Sequence, residues 1–147
     1  MEIRKFTPED AEEVSNVIRR ALALINSKDY QEDQIKSMIE KFSPQAVLER
    51  SQKRSMFVTI IDFKIVATGS LQNDTIYSLF VDPDYNGIGI GTKLMEYLEK
   101  LARSNHVKVL KVPSSITAIG FYSQLGYVED KEAISEDNST VQMVKVL

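Results

Sequence analysis

Hydrophobic and polar positions alternate with two different periods along this 147-residue chain. In residues 7–25 the apolar side chains recur every three or four positions, and Thr7 with Pro8 forms a typical helix start. The same period returns in residues 35–42 and again after a cap at Ser43. A short strand, MEIRKF, precedes these segments. The first third of the chain is therefore predicted as one strand followed by three helices.

The middle of the chain is rich in β-branched and aromatic residues. Residues 55–83, SMFVTIIDFKIVATGSLQNDTIYSLFVDP, contain three such runs, which turn signals at 62–64 and 73–74 separate. Three short runs joined by tight turns are typical of an antiparallel meander. This segment is therefore predicted as three consecutive strands of one sheet.

The C-terminal part returns to alternating helices and strands. From Gly89 to Ser104 the apolar residues fall on one helical face, and VKVLKV, a short helix in SSITAIGFYSQLG, and the strands YVEDKE and STVQMVKVL follow. The order βααα-βββ-α-β-α-ββ predicts an α/β fold of the mixed α+β type. Its centre is expected to be a mixed, mostly antiparallel sheet of about seven strands with helices on both faces. The length predicts a single domain over residues 1–147.

Composition and charge narrow the classes of function. The hydrophobic fraction of 43% and the charged fraction of 27% are those of a globular protein, and no apolar run is long enough for a membrane span. The start MEIRKFTPED lacks the apolar core of a signal peptide, so a cytoplasmic location without a membrane partner is expected. A net charge of −3 does not favour nucleic acid as a partner.

Two residue counts limit the possible chemistry. Cysteine is absent, which excludes disulfides, thiolate metal sites and an acyl-cysteine intermediate. A Ser-His-Asp triad would have to use His106, the single histidine, which lies in a predicted helix-to-strand connection and is better explained as a surface residue. No metal site is expected.

Three glycines at alternate positions lie between the meander and the amphipathic helix. In VDPDYNGIGIGTKLMEYLEK they are Gly87, Gly89 and Gly91. A Walker loop is excluded because Thr92 separates Gly91 from Lys93, and the dinucleotide fingerprint fails because Thr92 stands at its third glycine. A glycine loop at a helix N-terminus still lets backbone N–H groups converge on a phosphate. A plain turn that caps the helix is the alternative interpretation.

The segment NGIGIG, which begins at Asn86, resembles the [QR]-x-x-G-x-[GA] segment of the GCN5-related N-acetyltransferases. In that family the segment wraps the pyrophosphate of acetyl-coenzyme A. The resemblance continues through IYSLFVDPDYNGIGIGTKLMEYLEKLA and VLKVPSSITAIGFYSQLGYVED and covers nearly the whole chain. Two departures are Asn86 in place of Gln or Arg and Ser115 in place of an asparagine that contacts pantetheine. Both side chains offer less reach or fewer hydrogen bonds than the usual residue.

The resemblance also implies roles for individual residues. Leu79 would supply a backbone N–H to the thioester oxygen, and Val81 would pair with the pantetheine as an added strand. Tyr122 matches the tyrosine that often protonates the departing thiolate, while a packing role for its ring is the alternative and Tyr85 or Tyr127 are other possible donors. The implied catalytic residues are thus Tyr122 and Leu79. The implied cofactor-binding residues are Leu79, Phe80, Val81, Asn86, Gly87, Ile88, Gly89, Ile90, Gly91, Thr92 and Ser115.

The general base and the acceptor site are less visible. Thr75 stands where some family members have a carboxylate, and Asp74 beside it is expected to point away, so a water relay is the default. The resemblance implies that the acceptor site is formed by NSKDYQED and KEAISEDNS, although solvated loop charge is the simpler interpretation of their acidic residues. Those residues are Asp29, Glu32, Asp33, Glu132, Glu136 and Asp137.

The resemblance thus implies an N-acetyltransferase that moves an acetyl group from acetyl-CoA, its co-substrate, directly to a primary amine of a small molecule or peptide. Without cysteine, a ternary complex is expected. Two alternatives stay open: a non-catalytic acyl-CoA-binding sensor or regulatory module of the same fold, and an interaction domain whose glycine loop is only structural. The oligomeric state is also open, a homodimer included.

Overall fold

The computed structural model describes residues 1–133 and 139–147, and in these residues seven strands form one sheet. The strand order is β1-β2-β3-β4-β5-β7-β6, and every neighbouring pair is antiparallel except β4 and β5. The predicted mixed, mostly antiparallel sheet is confirmed. Its strands are β1 Glu2–Lys5, β2 Ser55–Ile61, β3 Lys64–Gln72, β4 Thr75–Val81, β5 Val109–Ser115, β6 Val128–Glu129 and β7 Thr140–Val146.

The described part of the chain also contains five α-helices, as predicted. They are α1 Ala11–Leu24, α2 Glu32–Glu40, α3 Pro44–Ser51, α4 Ile90–Ser104 and α5 Ile119–Gln124. Short 3₁₀ turns lie at Pro8–Asp10, Asn26–Asp29, Pro83–Tyr85 and Ile116–Ala118. Of the helices in residues 1–133 and 139–147, none combines the length and apolar character that a membrane crossing requires.

Two helix starts show how local chemistry sets the boundaries. Ser43 caps α3 as predicted, because its Oγ accepts the N–H of Ala46 at 3.2 Å. Thr7 is the N-cap and Pro8 the first helical residue, as predicted, but this first turn is a 3₁₀ turn, and α1 begins only at Ala11. The carboxylate of Asp10 accepts the Thr7 N–H at 2.8 Å and the Arg4 guanidinium at 2.7 Å, which holds that tighter turn.

Helices cover both faces of the sheet, as the sequence predicts. Strand alternation sends Val58 of β2 into a cluster with Ile18 of α1 and Val47 of α3. Its neighbour Phe57 points into the other cluster, which contains Leu94 and the rest of the buried face of α4. The sheet therefore separates a face covered by α1 and α3 from a face covered by α4 and α5.

The central strand β4 has a bulge and then separates from β5. The ladder between β3 and β4 loses register at Gly69, which lies opposite both Ser78 and Leu79. Ser78 has a left-handed φ of 54°, and a β-carbon on Gly69 would lie 2.7 Å from Leu79 Cδ1. In the described sheet, β4 and β5 are registered at one pair, Thr75 and Lys111 near the start of β4. Beyond that pair the two parallel strands separate, and a gap opens at their C-terminal ends.

Two C-terminal boundaries differ from the sequence prediction. The strand β5 continues through Pro113 to Ser115, taking in serines that were predicted to begin a helix, because it pairs with β7 along its whole length. The predicted strand YVEDKE is reduced to Val128–Glu129, an edge segment that pairs with Val144 and Met143 of β7. The end of β5 and the length of β6 could not be predicted from local residue preferences, because pairing with β7 sets both.

Candidate active site

A cleft of about 510 Å³ opens where β4 and β5 separate. Its walls are the end of β4, the glycine loop with the first turn of α4, the corner between β5 and α5, and the C-terminal end of α1. Every cofactor-binding residue predicted from the sequence lines this cleft except Ile88, whose side chain is 66% exposed, and Tyr122 lines it as well. Residues from distant parts of the chain are thus brought together as the resemblance implies.

The glycine loop has the backbone shape that only glycine adopts easily. Gly87 has a φ of 77° and Gly89 a φ of 89°, both in the left-handed region. An added β-carbon at either position would meet no atom within 4 Å, so backbone conformation rather than crowding explains these two glycines. The loop is entered through Asp82, whose carboxylate accepts the Asp84 N–H at 2.9 Å. The alternating glycines therefore turn the chain from β4 into α4.

The backbone N–H groups of residues 87–92 form the most distinctive feature of this loop. None of the six donates a hydrogen bond to a residue in the described ranges 1–133 and 139–147. The next donor along the chain, the Lys93 N–H, makes the first bond of α4 to the Gly89 carbonyl at 3.1 Å. Free N–H groups at a helix N-terminus, together with the helix dipole, favour an anion.

Gly91 has a different reason to be glycine, which the sequence analysis missed. A β-carbon there would lie 3.2 Å from Cζ of Phe121 and 3.6 Å from Cγ2 of Val81. The aromatic ring of α5 thus occupies the space beside the first turn of α4. Sequence spacing alone suggested that Gly91 kept the phosphate path clear, whereas the structure shows that it also admits Phe121.

Tyr122 is buried in the wall of the cleft at 4% exposure. Its ring packs edge-to-face against Phe121 and Tyr127, with centroid distances of 5.1 and 5.7 Å. Burial raises the pKa of the Tyr122 hydroxyl above its ordinary value of 10. In the described part of the chain this hydroxyl makes no hydrogen bond, and since Thr59 Oγ1 is the one fully occluded unpaired side-chain atom there, the Tyr122 hydroxyl still reaches open space in the cleft. The ring therefore packs, as the alternative interpretation expects, and the hydroxyl remains available to a ligand as a donor.

The other two candidate tyrosines have different surroundings. The Tyr127 hydroxyl donates to Oε2 of Glu99 at 2.7 Å, and Lys145 Nζ lies 3.1 Å from the same carboxylate. Burial, with the Glu99 hydrogen bond, raises the pKa of Tyr127. Tyr127 does not line the cleft, whereas Tyr85 does and has the Lys64 ammonium 5.5 Å from its ring centroid. The network around Glu99 was missed, although a glutamate on the apolar face of a predicted helix was a signal in the sequence.

The link between α1 and α2 is hydrogen-bonded to the corner between β5 and α5, which forms another wall of the cleft. Asp29 accepts the Thr117 hydroxyl at 2.7 Å, and the Tyr30 hydroxyl accepts the Ile116 N–H at 2.8 Å. The Tyr30 hydroxyl also donates to the Ser139 carbonyl. These contacts join segments nearly ninety residues or more apart in sequence, so no local spacing predicted them.

The remaining acidic residues proposed for the acceptor site differ in position. Glu32 and Asp33 are exposed in the first turn of α2, where carboxylates favour the helix dipole. Glu132 is exposed beyond β6. Glu136 and Asp137 lie outside the described residues. Only Asp29 among those described bonds to a residue of the cleft wall, so solvated loop charge explains the others sufficiently.

A second tie connects α1 to the entrance of the glycine loop. Arg20 lies 2.7 Å from Oδ2 of Asp82 and 3.4 Å from Oδ2 of Asp84. Asp82 follows the last residue of β4 and is 2% exposed, and its charge is balanced by this arginine of the facing helix. The hydrogen bond that the Arg20 guanidinium donates to Asp82 raises the pKa of Arg20 further. Both sides of the cleft are thus fastened to α1.

Asp74, considered as a general base, lies at the other end of β4. Its Oδ2 is 3.3 Å from Lys111 Nζ, and its Oδ1 accepts the Thr75 hydroxyl at 2.9 Å. Desolvation opposes its ionisation, but the hydrogen bonds from Thr75 and Lys111 hold the pKa of Asp74 below its ordinary value. Asp74 does not line the cleft. The geometry therefore favours a turn aspartate.

Comparison with known proteins identifies acetyltransferases as relatives of this chain. The model of the acetyltransferase (GNAT) domain family matches residues 26–147. The uncharacterized N-acetyltransferase YafP of Escherichia coli (strain K12) is 28% identical over 132 residues, which is 90% of this chain and 84% of YafP. The uncharacterized N-acetyltransferase ycf52 of Porphyra purpurea is 24% identical over 60% of this chain, and the chain spans about half, 51%, of the length of that relative.

Solved structures share the fold over nearly the whole chain. A structure described as the GCN5-related N-acetyltransferase "Aminotransferase, Class-II" from Rhodopseudomonas palustris superposes with a TM-score of 0.92 at 27% identity. That match covers 99% of this chain and 95% of the other. The PaiA N-acetyltransferase of Thermoplasma acidophilum, solved in complex with coenzyme A, has a TM-score of 0.84 at 24% identity, covering 99% and 98%.

Proposed function

This chain belongs to the acetyltransferase (GNAT) family, and from that premise we propose that it transfers the acetyl group of acetyl-CoA directly to a primary amine of a small molecule or peptide. The single observation that carries the proposal is the row of backbone N–H groups from 87 to 92 without a partner in the described chain. A pyrophosphate would satisfy these donors at the positive end of α4. We also propose that residues 1–147 work as one domain.

The shape of the cleft fits this co-substrate. Gly87 and Gly89 keep side chains away from the phosphate position, and Thr92 follows on the first turn of α4. Val81 and Phe80, at the end of β4 where β5 has separated, would face the pantetheine arm. Ser115 uses its hydroxyl to accept the Ala118 N–H at 3.2 Å, so its role toward pantetheine would be shared with a local cap.

Two groups of this chain would act on the thioester of acetyl-CoA. Acetyl-CoA supplies an activated acyl group and a thiol leaving group. Leu79, held at the bulge of β4 by its fit against Gly69, would present its backbone N–H to the thioester oxygen. Tyr122 would donate its hydroxyl hydrogen to the departing sulfur, and the pKa raised by burial keeps that hydrogen in place at neutral pH.

The amine acceptor also has to lose a proton before it attacks. An alkyl amine with a pKa of about 10.4 is mostly protonated at neutral pH. Asp74 does not line the cleft and is already paired with Lys111, so we propose that water in the cleft accepts the proton of the amine. On this account the rate should follow the fraction of neutral amine.

Two measurements test the proposal. Calorimetry with acetyl-CoA should show binding, and release of free CoA thiol with a panel of amino acids, polyamines, aminoglycosides and N-terminal peptides should show turnover. Initial rates at several fixed acceptor concentrations should give intersecting reciprocal plots, because no cysteine is present to carry the acetyl group. Binding without turnover of any amine would favour the sensor alternative, and absence of binding would overturn the proposal.

A further inference from the structure

Asn26 is a buried polar residue that the proposed transfer has not yet used. It lies two residues beyond the end of α1, is 6% exposed, and contributes to the wall of the cleft. Its side-chain amide makes no hydrogen bond to a residue in the ranges 1–133 and 139–147. Within those ranges, Thr59 Oγ1 is the one fully occluded side-chain polar atom without a partner, so the Asn26 amide still reaches open space. Buried amides normally have partners, which makes this one unusual.

The backbone that presents Asn26 is held firmly. The 3₁₀ turn Asn26–Asp29 is fastened through Asp29 to Thr117, and the next residue, Tyr30, bridges the Ile116 N–H and the Ser139 carbonyl. A turn whose backbone is fixed by such contacts does not have to be ordered when a ligand binds. The turn therefore holds Asn26 at the cleft without rearrangement of the backbone.

The position of Asn26 separates it from the cradle for acetyl-CoA. Helix α4 and its free N–H groups cover one face of the sheet, while α1 covers the other. The cleft connects these faces where β4 and β5 separate, with Asn26 on the α1 side. A co-substrate held at the N-terminus of α4 leaves the α1 side for the acceptor.

We propose that the Asn26 amide binds the acceptor amine and selects amines that carry an oxygen acceptor on the neighbouring carbon. This inference rests on the proposed acetyl transfer and names the substrate class for it. The amide offers one acceptor oxygen and two N–H donors without net charge. Oδ1 accepts an N–H of the neutral amine, which orients the nitrogen lone pair toward the acetyl carbon, while Nδ2 donates to the neighbouring oxygen.

Two kinds of acceptor share this chemistry. One is an α-aminoacyl group, as in an amino-acid amide or a peptide N-terminus, and the other is a vicinal amino alcohol. An alkyl amine such as isopropylamine has no oxygen for the second hydrogen bond, which would leave the buried Nδ2 unsatisfied. The parent protein should therefore prefer both oxygen-bearing amines after correction for the fraction of neutral amine.

The test compares alaninamide, 2-amino-1-propanol and isopropylamine, with acetyl-CoA affinity measured separately by calorimetry. Asn26→Leu keeps the branched shape of the side chain and removes both hydrogen bonds, so it should lower kcat/KM for alaninamide or the amino alcohol about 10- to 100-fold. For isopropylamine the loss should stay within about threefold, and the acetyl-CoA Kd should change less than twofold. Whichever oxygen-bearing amine shows the larger selective loss identifies the source of the acceptor.

Two further variants sharpen the result. Asn26→Asp keeps the shape and Oδ1 but removes the Nδ2 donor, so it should lose the preference for alaninamide while retaining isopropylamine turnover. Asn16→Leu makes the same change at an exposed site on α1 and should match the parent. The inference would be overturned if Asn26→Leu lowered kcat/KM equally for all three amines, or if it changed only the affinity for acetyl-CoA. A parent protein that prefers isopropylamine would also overturn it. If acetyl-CoA binds but none of the amines turns over or binds alongside CoA, the inference also fails, whereas loss of acetyl-CoA binding itself would instead reject the proposed function.

Discussion

The two walls of the cleft are built in opposite ways. The wall formed by residues 86–92 is exposed in its first part, presents backbone N–H groups, and takes its shape from positive φ angles at Gly87 and Gly89. The facing wall presents the buried side chains of Asn26 and Tyr122. Asn26 begins a turn that Asp29 ties to Thr117, and Tyr122 belongs to the core cluster that contains Leu94 of α4. One wall depends on local conformation and the other on tertiary packing.

This difference predicts how each wall responds to substitution. A backbone wall should tolerate side-chain changes that add neither charge nor bulk, since no side chain makes the interaction. A side-chain wall should lose function on removal of a single polar atom even where the packing is kept. The substitutions below test that contrast, from the largest expected effect to the smallest.

The largest effect is expected from one atom of the side-chain wall. Tyr122→Phe keeps the ring contacts with Phe121 and Tyr127 and removes the hydroxyl, so kcat should fall about 100-fold. Acetyl-CoA affinity and Tm should stay near the parent values, because the hydroxyl has no hydrogen-bond partner in the described chain. Steady-state kinetics with thermal unfolding would measure both.

The pH dependence and two matched variants complete this test. Since burial raises the pKa of Tyr122, its hydroxyl stays protonated below pH 10, and the kcat ratio of parent to Tyr122→Phe should be constant from about pH 6 to 9. Tyr127→Phe should lower Tm with little change in kcat, since its hydroxyl bonds Glu99. A normal kcat with a lowered Tm in Tyr122→Phe would assign Tyr122 to packing alone, and a rate loss in Tyr85→Phe instead would move the donor to the loop.

The backbone wall should respond to charge. Thr92→Glu places a carboxylate in the first turn of α4, where it favours the helix dipole but repels a pyrophosphate. We expect acetyl-CoA to bind about 30-fold more weakly, a loss of about 2 kcal/mol, while Tm is unchanged or higher. Thr92→Gln has nearly the same shape without the charge and should bind within about threefold of the parent. Equal affinities of the Glu and Gln variants would exclude this turn as the phosphate site.

The smallest effect concerns the point where the two walls meet. Gly91→Ala brings a β-carbon within 3.2 Å of the Phe121 ring and should lower stability by about 1 kcal/mol. In a Phe121→Leu background the same change should raise Tm, because alanine favours the helix once the contact is relieved. A double-mutant cycle from thermal unfolding measures the coupling. Additive effects would show that Gly91 serves the phosphate path and not the packing of α5.

Most of the fold was predictable because its elements carry strong local patterns. The helical period from Ala11 and the apolar face of α4 each identified a helix, and the turn signals at 62–64 and 73–74 separated β2, β3 and β4 correctly. The limits of β5 and β6 were not predictable, since pairing with β7 sets both. Strand ends depend on partners that a local window does not contain.

The glycine loop was predictable from the residues themselves, whereas Ser115 and Tyr122 on the facing wall were named only through the family resemblance. By itself the sequence determined the glycine loop, because left-handed φ angles at Gly87 and Gly89 are a property of residue type and spacing. Tertiary structure decided the surroundings of the facing wall, since the burial of the Asn26 amide and of the Tyr122 ring depends on residues far along the chain, such as Leu94 of α4 in the core cluster of Tyr122. The physical reason is that backbone conformation is a local preference. The burial of a polar side chain, and whether it finds a hydrogen-bond partner, are decided only when distant segments pack around it.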